Sequence, residues 1–134
     1  MLKITAPLAT LAGGNPVVAD ITGGLPSVTT ETAPVYSAPI DLPVGTYVFE
    51  VRVTSTGSSS TSHTFTIRLT DPADNEVMGY IVPAHESWPP SQAVVFHTTI
   101  TAPGAYRISM QTSTNSAVFA VGRIDRIRVI RTAT

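Results

Sequence analysis

The side chains of this sequence that could perform acid, base or metal chemistry are few and scattered. The histidines are His63, His85 and His97, and no pair has the spacing with which a helix or a strand brings two ligands to one metal. The absence of cysteine excludes disulfides, thiolate nucleophiles and cysteine-ligated zinc. No Gly-x-Ser-x-Gly turn marks a serine nucleophile, and the nine acids are spread over turns and outward strand positions. The sequence therefore predicts no catalytic residue, no metal site and no cofactor, and a protein that is not an enzyme.

One polar turn carries oxygen atoms of the kind that calcium prefers. They belong to Asp71, Asp74, Asn75 and Glu76. The segment lacks the ligand periodicity and the glycine of an EF-hand loop. A structural turn between two strands is the favoured interpretation, and calcium binding is the alternative.

A proline-rich loop at residues 84–92 places an acid, a base and an aromatic ring close together. They are His85, Glu86 and Trp88. Prolines lack the N–H that a central strand requires, so the segment is predicted to be a loop. Trp88, with Tyr80 and Tyr36, could form an aromatic platform for sugar rings or a buried contact with a protein partner. A loop whose tryptophan is a partly buried plug is the alternative, and we take Trp88 and His85 as candidate partner-binding residues.

The C-terminal strand carries the only cationic cluster. Its members are Arg123, Arg126, Arg128 and Arg131, with Asp125 among them. Alternation along a strand places Arg126 and Arg128 on the same outward face. Their guanidinium forks are suited to pairing with carboxylates of a partner subunit, so both are candidate partner-binding residues. A solvated sheet face is the alternative.

Composition excludes two classes of partner. Of the 134 residues, 43% are hydrophobic and 13% are charged, against roughly 25% charged in ordinary soluble domains. The net charge is −1 and Lys3 is the only lysine, so nucleic acid and anionic membranes are not expected to attract this protein. No stretch approaches the ~20 apolar residues of a membrane span. Because prolines and glycines interrupt the N-terminus too early for a signal peptide, we expect synthesis in a cytoplasm without export.

Alternation of apolar and polar residues with period 2 dominates the chain from residue 35. Residues 46–54 and 64–70 show it most clearly, and we predict that they pair antiparallel through a mobile hairpin loop of residues 55–62. Pro83 is expected to end one strand, and Gly122 to mark a bulge or bend between the last two. The further strands are predicted at 35–42, 76–82, 94–101, 105–112, 117–121 and 123–131.

Two segments repeat the same order of turn residues. Residues 42–47 and 101–106 each run through a proline and a glycine to a tyrosine, just before an alternating strand. Glycine supplies a tight turn, and the tyrosine two residues later is expected to pack under the rim of a sandwich. We interpret the two segments as corresponding corners of one β-sandwich.

The N-terminal segment differs from the rest of the chain. Residues 1–34 mix Ala, Thr, Gly and Pro without a sustained period, and we predict an extended arm here, ahead of a domain of residues 35–134. Their apolar residues, Leu8 and Leu11 among them, argue against disorder, which goes with low hydrophobicity and high charge. These leucines are candidate contacts with a neighbouring surface. An edge strand of the same domain plus loops is the alternative.

Residues 42–53 and 122–129 together resemble the jelly rolls of galactose-binding-like domains and carbohydrate-binding modules. A Gly-x-Tyr strand rises early in those domains, and a closing strand reads x-Ile-Asp-x-Ile-x-Val, as residues 123–129 do here. The resemblance covers roughly residues 35–131. It implies an all-β, antiparallel jelly-roll sandwich of about eight strands with an N-terminal arm. Such modules bind glycans through exposed aromatic side chains on loops, and Trp88 is the candidate.

The overall build also resembles the decoration, or cement, proteins of tailed-phage capsids, which are small β domains with an extended arm. This resemblance implies a virion structural protein made in the host cytoplasm. It would bind the major capsid protein at the capsid surface and associate with itself as a homotrimer. The lysine-poor, threonine-rich surface agrees, because lysine is depleted in lasting interfaces. A glycan-binding module and a receptor-binding jelly roll of a tail fibre or baseplate are the alternatives.

Overall fold

The described part of the protein is built from strands packed as two facing sheets. A computed structural model describes residues 16–29, 33–57, 63–84, 91–112 and 120–133, and within these ranges it contains ten strands and no helix. No helix in those ranges is long and apolar enough to cross a membrane. The strands are β1 (Val17–Ile21), β2 (Ser27–Thr29), β3 (Val35–Tyr36), β4 (Ile40–Leu42), β5 (Gly45–Gly57), β6 (His63–Thr70), β7 (Glu76–Ala84), β8 (Ser91–Ile100), β9 (Gly104–Thr112) and β10 (Ala120–Ala133).

Each sheet is antiparallel and has five strands. The first sheet has the order β1-β10-β5-β8, with β2 also paired to β10. The second has the order β3-β9-β6-β7, with β4 also paired to β9. The predicted all-β antiparallel sandwich is confirmed. The strands number ten because residues 17–29 add two short strands, the strand predicted at 35–42 is interrupted at residues 37–39, and the strands predicted at 117–121 and 123–131 form a single strand, described from residue 120.

The core lies between the two sheets and follows the alternation in the sequence. The inward residues of β5 and β6 are almost completely buried, and those of β8, β9 and β10 join them. On β5 and β6 these residues are Tyr47, Phe49, Val51, Val53, Phe65, Ile67 and Leu69. The outward residues between them are Thr, Arg, Glu and Val side chains that are exposed or half-buried. The predicted inward faces of all these strands are confirmed.

The predicted pairing of β5 with β6 is wrong. β5 pairs with β10 and β8 in the first sheet, whereas β6 pairs with β9 and β7 in the second. The chain therefore changes sheet between these strands. Two alternating strands can bury their apolar faces side by side in one sheet or face to face across a sandwich, and the alternation is identical in both cases. The pattern thus predicted the strands and their inward faces but not their neighbours.

Two smaller predictions are also corrected. β7 continues past Pro83 to Ala84, because β7 is an edge strand and an edge tolerates the missing N–H of proline. The last strand shifts register against β5 between Ile124 and Arg126 and again between Arg131 and Ala133, and 120–133 is one continuous strand. Gly122 is needed for another reason. A Cβ at that position would lie 2.7 Å from Cε1 of the buried Phe65 ring.

The two predicted corners are confirmed, and they lie side by side. The hydroxyl of Tyr47 donates to the carbonyl of Pro43, and the hydroxyl of Tyr106 donates to that of Ala102, both at 2.6 Å. Both segments cross from one sheet to the other, since β4 and β9 pair in the second sheet while β5 and β8 pair in the first. Each tyrosine thus ties its strand to the turn four residues before it.

Part of the N-terminal segment belongs to the first sheet. β1 and β2 both pair with β10, and Val28 is buried in the core. Residues 16–29 thus have the edge-strand arrangement that was the alternative to an arm. Leu8 and Leu11 lie outside the described residues. A domain boundary at residue 34, with an arm before it, stays a prediction.

Candidate binding groove on the outer face of the first sheet

The outer face of the first sheet carries two cross-strand rows of side chains. Residue 126 of β10 pairs with residue 52 of β5, which pairs with residue 93 of β8. Residues 128, 50 and 95 form the next row in the same way. These rows line a groove of about 290 Å³, hereafter the arginine groove. Its outward side chains are Glu50, Arg52, Ala93, Val95, Arg126 and Arg128.

The arginine groove is held in shape by ion pairs within the chain. Arg126 forms a bidentate pair with Asp20 of β1, in which Nε donates to Oδ1 at 2.8 Å and the terminal nitrogen donates to Oδ2 at 2.6 Å. Arg128 contacts Glu50 at 3.4 Å. Arg52 is exposed, and among the described residues it makes no ion pair within 4.0 Å of a carboxylate. The groove therefore offers one cation that the described carboxylates do not neutralise by contact.

The bidentate pair changes the acidity of both partners. The hydrogen bonds from Arg126 lower the pKa of Asp20 and have the largest effect, burial acts against them, and the positive charges of Arg126 and Arg128 lower the pKa further. The same contacts raise the pKa of Arg126. Nearby, burial raises the pKa of Asp125, but hydrogen bonds from Thr54 and Arg123 outweigh it, so the pKa is lowered. These carboxylates are charged at neutral pH and act as fixed anions beside the arginines.

Asp20→Asn is expected to lower the melting temperature at neutral pH and to have no effect in acid. The folded protein holds this carboxyl at a lowered pKa, so its stabilisation is full above the unfolded value of about 4 and disappears as the pH falls below it. Thermal unfolding of both proteins from pH 2 to pH 7 measures the difference. Asp41→Asn, on an exposed carboxylate of β4, is the control. A difference between wild type and Asp20→Asn that stays constant over this range would contradict the ion-pair explanation.

The four arginines predicted as one cluster are divided among three places. Arg126 and Arg128 share the arginine groove, as expected, but their carboxylate partners belong to the same chain. Arg123 pairs with Asp125 at 2.6 Å. Arg131 lies at the first corner, where it donates to the carbonyl of Val44 at 2.6 Å and lies 5.9 Å from the Tyr47 ring centroid. Alternation placed only Arg126 and Arg128 on one face, and these two lie together, whereas Arg123 and Arg131 lie on either side of them along β10.

The aromatic platform is not formed by its described members. Tyr36 is on β3 and Tyr80 is on β7, at opposite ends of the second sheet. Tyr36 lies under the guanidinium of Arg107, 4.0 Å from its central carbon, and Tyr80 stacks on Phe96. Trp88 and His85 lie outside the described residues. Their assignment as partner-binding residues stays a prediction.

The polar turn of residues 71–76 uses its carboxylates structurally. Asp71 Oδ1 accepts hydrogen bonds from the amides of residues 73 and 75, at 2.9 and 2.8 Å. Asp74 accepts from Arg107 and from Tyr36, and Glu76 accepts from Arg68 at 2.6 Å. The described residues contain no group of three or more His, Asp or Glu side chains placed to share a metal. In the described geometry the carboxylates of this turn fix the backbone and orient arginines on the second sheet.

Several members of the arginine groove did not emerge from the sequence. Glu50 and Arg52 were predicted to face outward, but nothing in the pattern placed them beside Arg126 and Arg128. Asp20 lies 106 residues before its partner, in a segment without strand periodicity. Knowledge that β10 is the central neighbour of both β1 and β5 would have been needed to find them.

Comparisons with known proteins identify the fold of this chain. No family model matches the chain, and no curated protein matches it by sequence. Solved carbohydrate-binding modules are similar in structure at low sequence identity. The CBM6 module of Cellvibrio mixtus lichenase 5A, in complex with cellotriose, has a TM-score of 0.54 at 16% identity, covering 87% of this chain and 99% of that one.

Two further modules show the same likeness. A CBM4 structure has a TM-score of 0.56 at 14% identity and covers 92% of this chain and 83% of that one. The CBM22-1 xylan-binding domain of Paenibacillus barcinonensis Xyn10C has a TM-score of 0.53 at 6% identity, covering 90% and 97%. These matches span nearly whole modules on both sides. The chain therefore has the jelly-roll fold of carbohydrate-binding modules, as its sequence resemblance implied.

Proposed function

We propose that this chain is a non-enzymatic structural protein that binds the outer shell of a phage capsid as an oligomer. The observation that carries the proposal is the character of the arginine groove. Its charges are mostly paired within the chain, it lies on a broad sheet face, and none of the described residues that line it is aromatic. A sugar ring stacks on an aromatic face, whereas a preformed row of arginines and small apolar residues suits a protein surface.

The arginines of the groove are suited to a carboxylate-bearing partner. Arg52 is exposed and lies in register beside Arg126, whose orientation is fixed by Asp20. A partner carboxylate above this row would meet one cation in direct contact and a second already held in place. Preorganised arginines lose little side-chain entropy on binding, which is why they are enriched at interface hot spots. On this proposal the protein is made in the host cytoplasm and acts on the virion surface.

Arg52→Gln is expected to weaken binding to the shell by roughly 10-fold or more, as loss of an interface arginine does. The assay mixes the purified protein with shells assembled from the major capsid protein of the same phage and measures co-sedimentation over a concentration series. Arg123→Gln is the matched control, because Arg123 is an exposed arginine of β10 outside the groove. Absence of wild-type binding to the shell would refute the capsid assignment. Equal weakening by both variants would refute the role of the groove.

Glycan binding is a second candidate, and the likeness to whole carbohydrate-binding modules favours it. One of those modules was solved with cellotriose, and another is described as xylan-binding. If this chain shares such a role, immobilised cello- and xylo-oligosaccharides should retain it. Trp88→Ala should abolish retention and leave the oligomeric state unchanged. Lack of retention on any glycan of a broad array would remove this candidate.

A further inference from the structure

One side of the sandwich is formed by the edge strands β7 and β8, hereafter the β7–β8 wall. Each strand is the last in its sheet, so among the described strands β7 has only β6 as a neighbour and β8 has only β5. The two edges lie on the same side of the molecule. The Tyr80 ring of β7 stacks on the Phe96 ring of β8 across the sheets, with centroids 5.7 Å apart. The exposed Tyr80 ring thus covers the buried Phe96 ring at this wall.

Apolar side chains are concentrated on this wall. Among the described residues seven large hydrophobic side chains are exposed, and four of the seven belong to β7 or β8. They are Val77, Tyr80, Ile81 and Val95, and Ile81 is the most exposed of all at 68%. Tyr80 lies between the sheets, while Val77 and Ile81 face outward from the second sheet and Val95 faces outward from the first. Single exposed apolar residues are ordinary, but four on two adjoining edge strands indicate an interaction surface.

Within its own ten residues, β8 also lacks the charges, prolines and bulges that keep strand edges from pairing. Natural edges are short, bulged, or protected by charged residues and prolines. β8 has ten residues, none of them Asp, Glu, Lys, Arg or Pro, and it pairs with β5 without a register shift. The edges on the opposite side are protected. β1 has a bulge and carries Asp20, while β3 and β4 have two and three residues.

We propose that the β7–β8 wall binds a second copy of this chain around a two-fold axis, with the two β8 strands paired antiparallel. In the register centred on Val95, this residue meets its own copy, Ala93 meets His97, and Ser91 meets Thr99. Each sheet then continues into the equivalent sheet of the partner. The proposal extends the proposed function by naming the contact between copies, and it gives a dimer in place of the trimer implied by the capsid-protein resemblance.

Charge and size both favour a second copy as the occupant. β8 carries no charged residue and β7 carries only Glu76, so two identical walls approach each other with little repulsion. A ten-residue strand is roughly 33 Å long, and two sheets ~10 Å apart with their outer side chains give a wall ~20 Å high. The resulting area of roughly 660 Å² per copy approaches the ~800 Å² per partner of a stable interface.

Val95→Lys is expected to convert the full-length dimer to a monomer. Two lysines would face each other at the two-fold axis, where like charges oppose pairing. Light scattering across a 100-fold range of protein concentration measures the mass. Val17→Lys is the matched control, because Val17 has nearly the same exposure on the opposite edge of the same sheet, 44% against 46%. Ile81→Lys, at the most exposed position of the wall, should weaken dimerisation independently of β8.

The proposal is overturned if the wild-type protein is a monomer throughout this range or a trimer. It is also overturned if Val95→Lys and Ile81→Lys, each folded by circular dichroism, keep the wild-type mass, or if Val17→Lys dissociates the protein equally. A dimer that does not bind capsid shells would refute the proposed function and leave the dimer contact standing.

Discussion

Phe49→Ala is expected to destabilise the protein by about 3–5 kcal/mol, a large part of the ~5–15 kcal/mol that holds a domain of this size together. Phe49 is completely buried at the centre of β5. Its ring stacks on that of Phe96 with centroids 5.1 Å apart and planes within 6°, and its other neighbour in the sheet is Val129. Truncation to alanine would remove the stacking on Phe96. It would also leave a cavity, because the side chains of the two flanking strands are too well fixed to move into it.

Guanidinium unfolding measures this effect. With a slope of ~4 kcal/mol/M, the loss corresponds to a fall of roughly 1 M in the midpoint at unchanged slope. Val48→Ala is the control, because Val48 is the next residue on the same strand and its side chain is outward and half-buried. Its expected cost is below ~1 kcal/mol. Equal costs at positions 48 and 49 would contradict the assignment of the inward face of β5.

Ser37→Ala is expected to cost about 1–3 kcal/mol, although it removes a single oxygen atom. Ser37 is buried at the break between β3 and β4 and makes two bonds to one residue of β9. Its amide donates to the carbonyl of Ile108 at 2.7 Å, and its hydroxyl oxygen accepts from the amide of Ile108 at 3.0 Å. The side chain thus replaces a carbonyl that the interrupted strand does not supply. Alanine would leave a buried N–H without an acceptor.

Amide hydrogen exchange tests this explanation directly. In Ser37→Ala the amide of Ile108 should exchange markedly faster, while the amides of β5 and β10 should exchange faster only to the extent that overall stability falls. Ser91→Ala, at the exposed start of β8, should change neither exchange nor stability. An unchanged Ile108 amide would show that another group accepts its hydrogen bond.

The two corners were predictable from the sequence. The shared order of proline, glycine and tyrosine at residues 42–47 and 101–106 predicted two equivalent turns, and the structure has both. A tyrosine hydroxyl four residues after a carbonyl is a local contact, so a local pattern contains the information. The inward faces of the strands were predictable for the same reason, since period 2 is a property of consecutive residues.

The composition of the arginine groove could not be predicted in full from the sequence. Arg126 and Arg128 were predicted to face outward together, and they do, but Arg52 and Asp20 joined them only through the order of strands. The same limit explains the wrong pairing of β5 with β6. Alternation indicates which side of a strand is buried, but it does not indicate which strand lies beside it.

The sequence by itself determined the fold class, the buried face of each long strand and the two corners, because all of these depend on residues close together in the chain. Only the tertiary structure decided the strand neighbours, the break at Ser37, the arginine groove and the exposed β7–β8 wall. Each of these depends on contacts between segments tens of residues apart. Those contacts are selected by how two whole sheets pack, which no local pattern encodes.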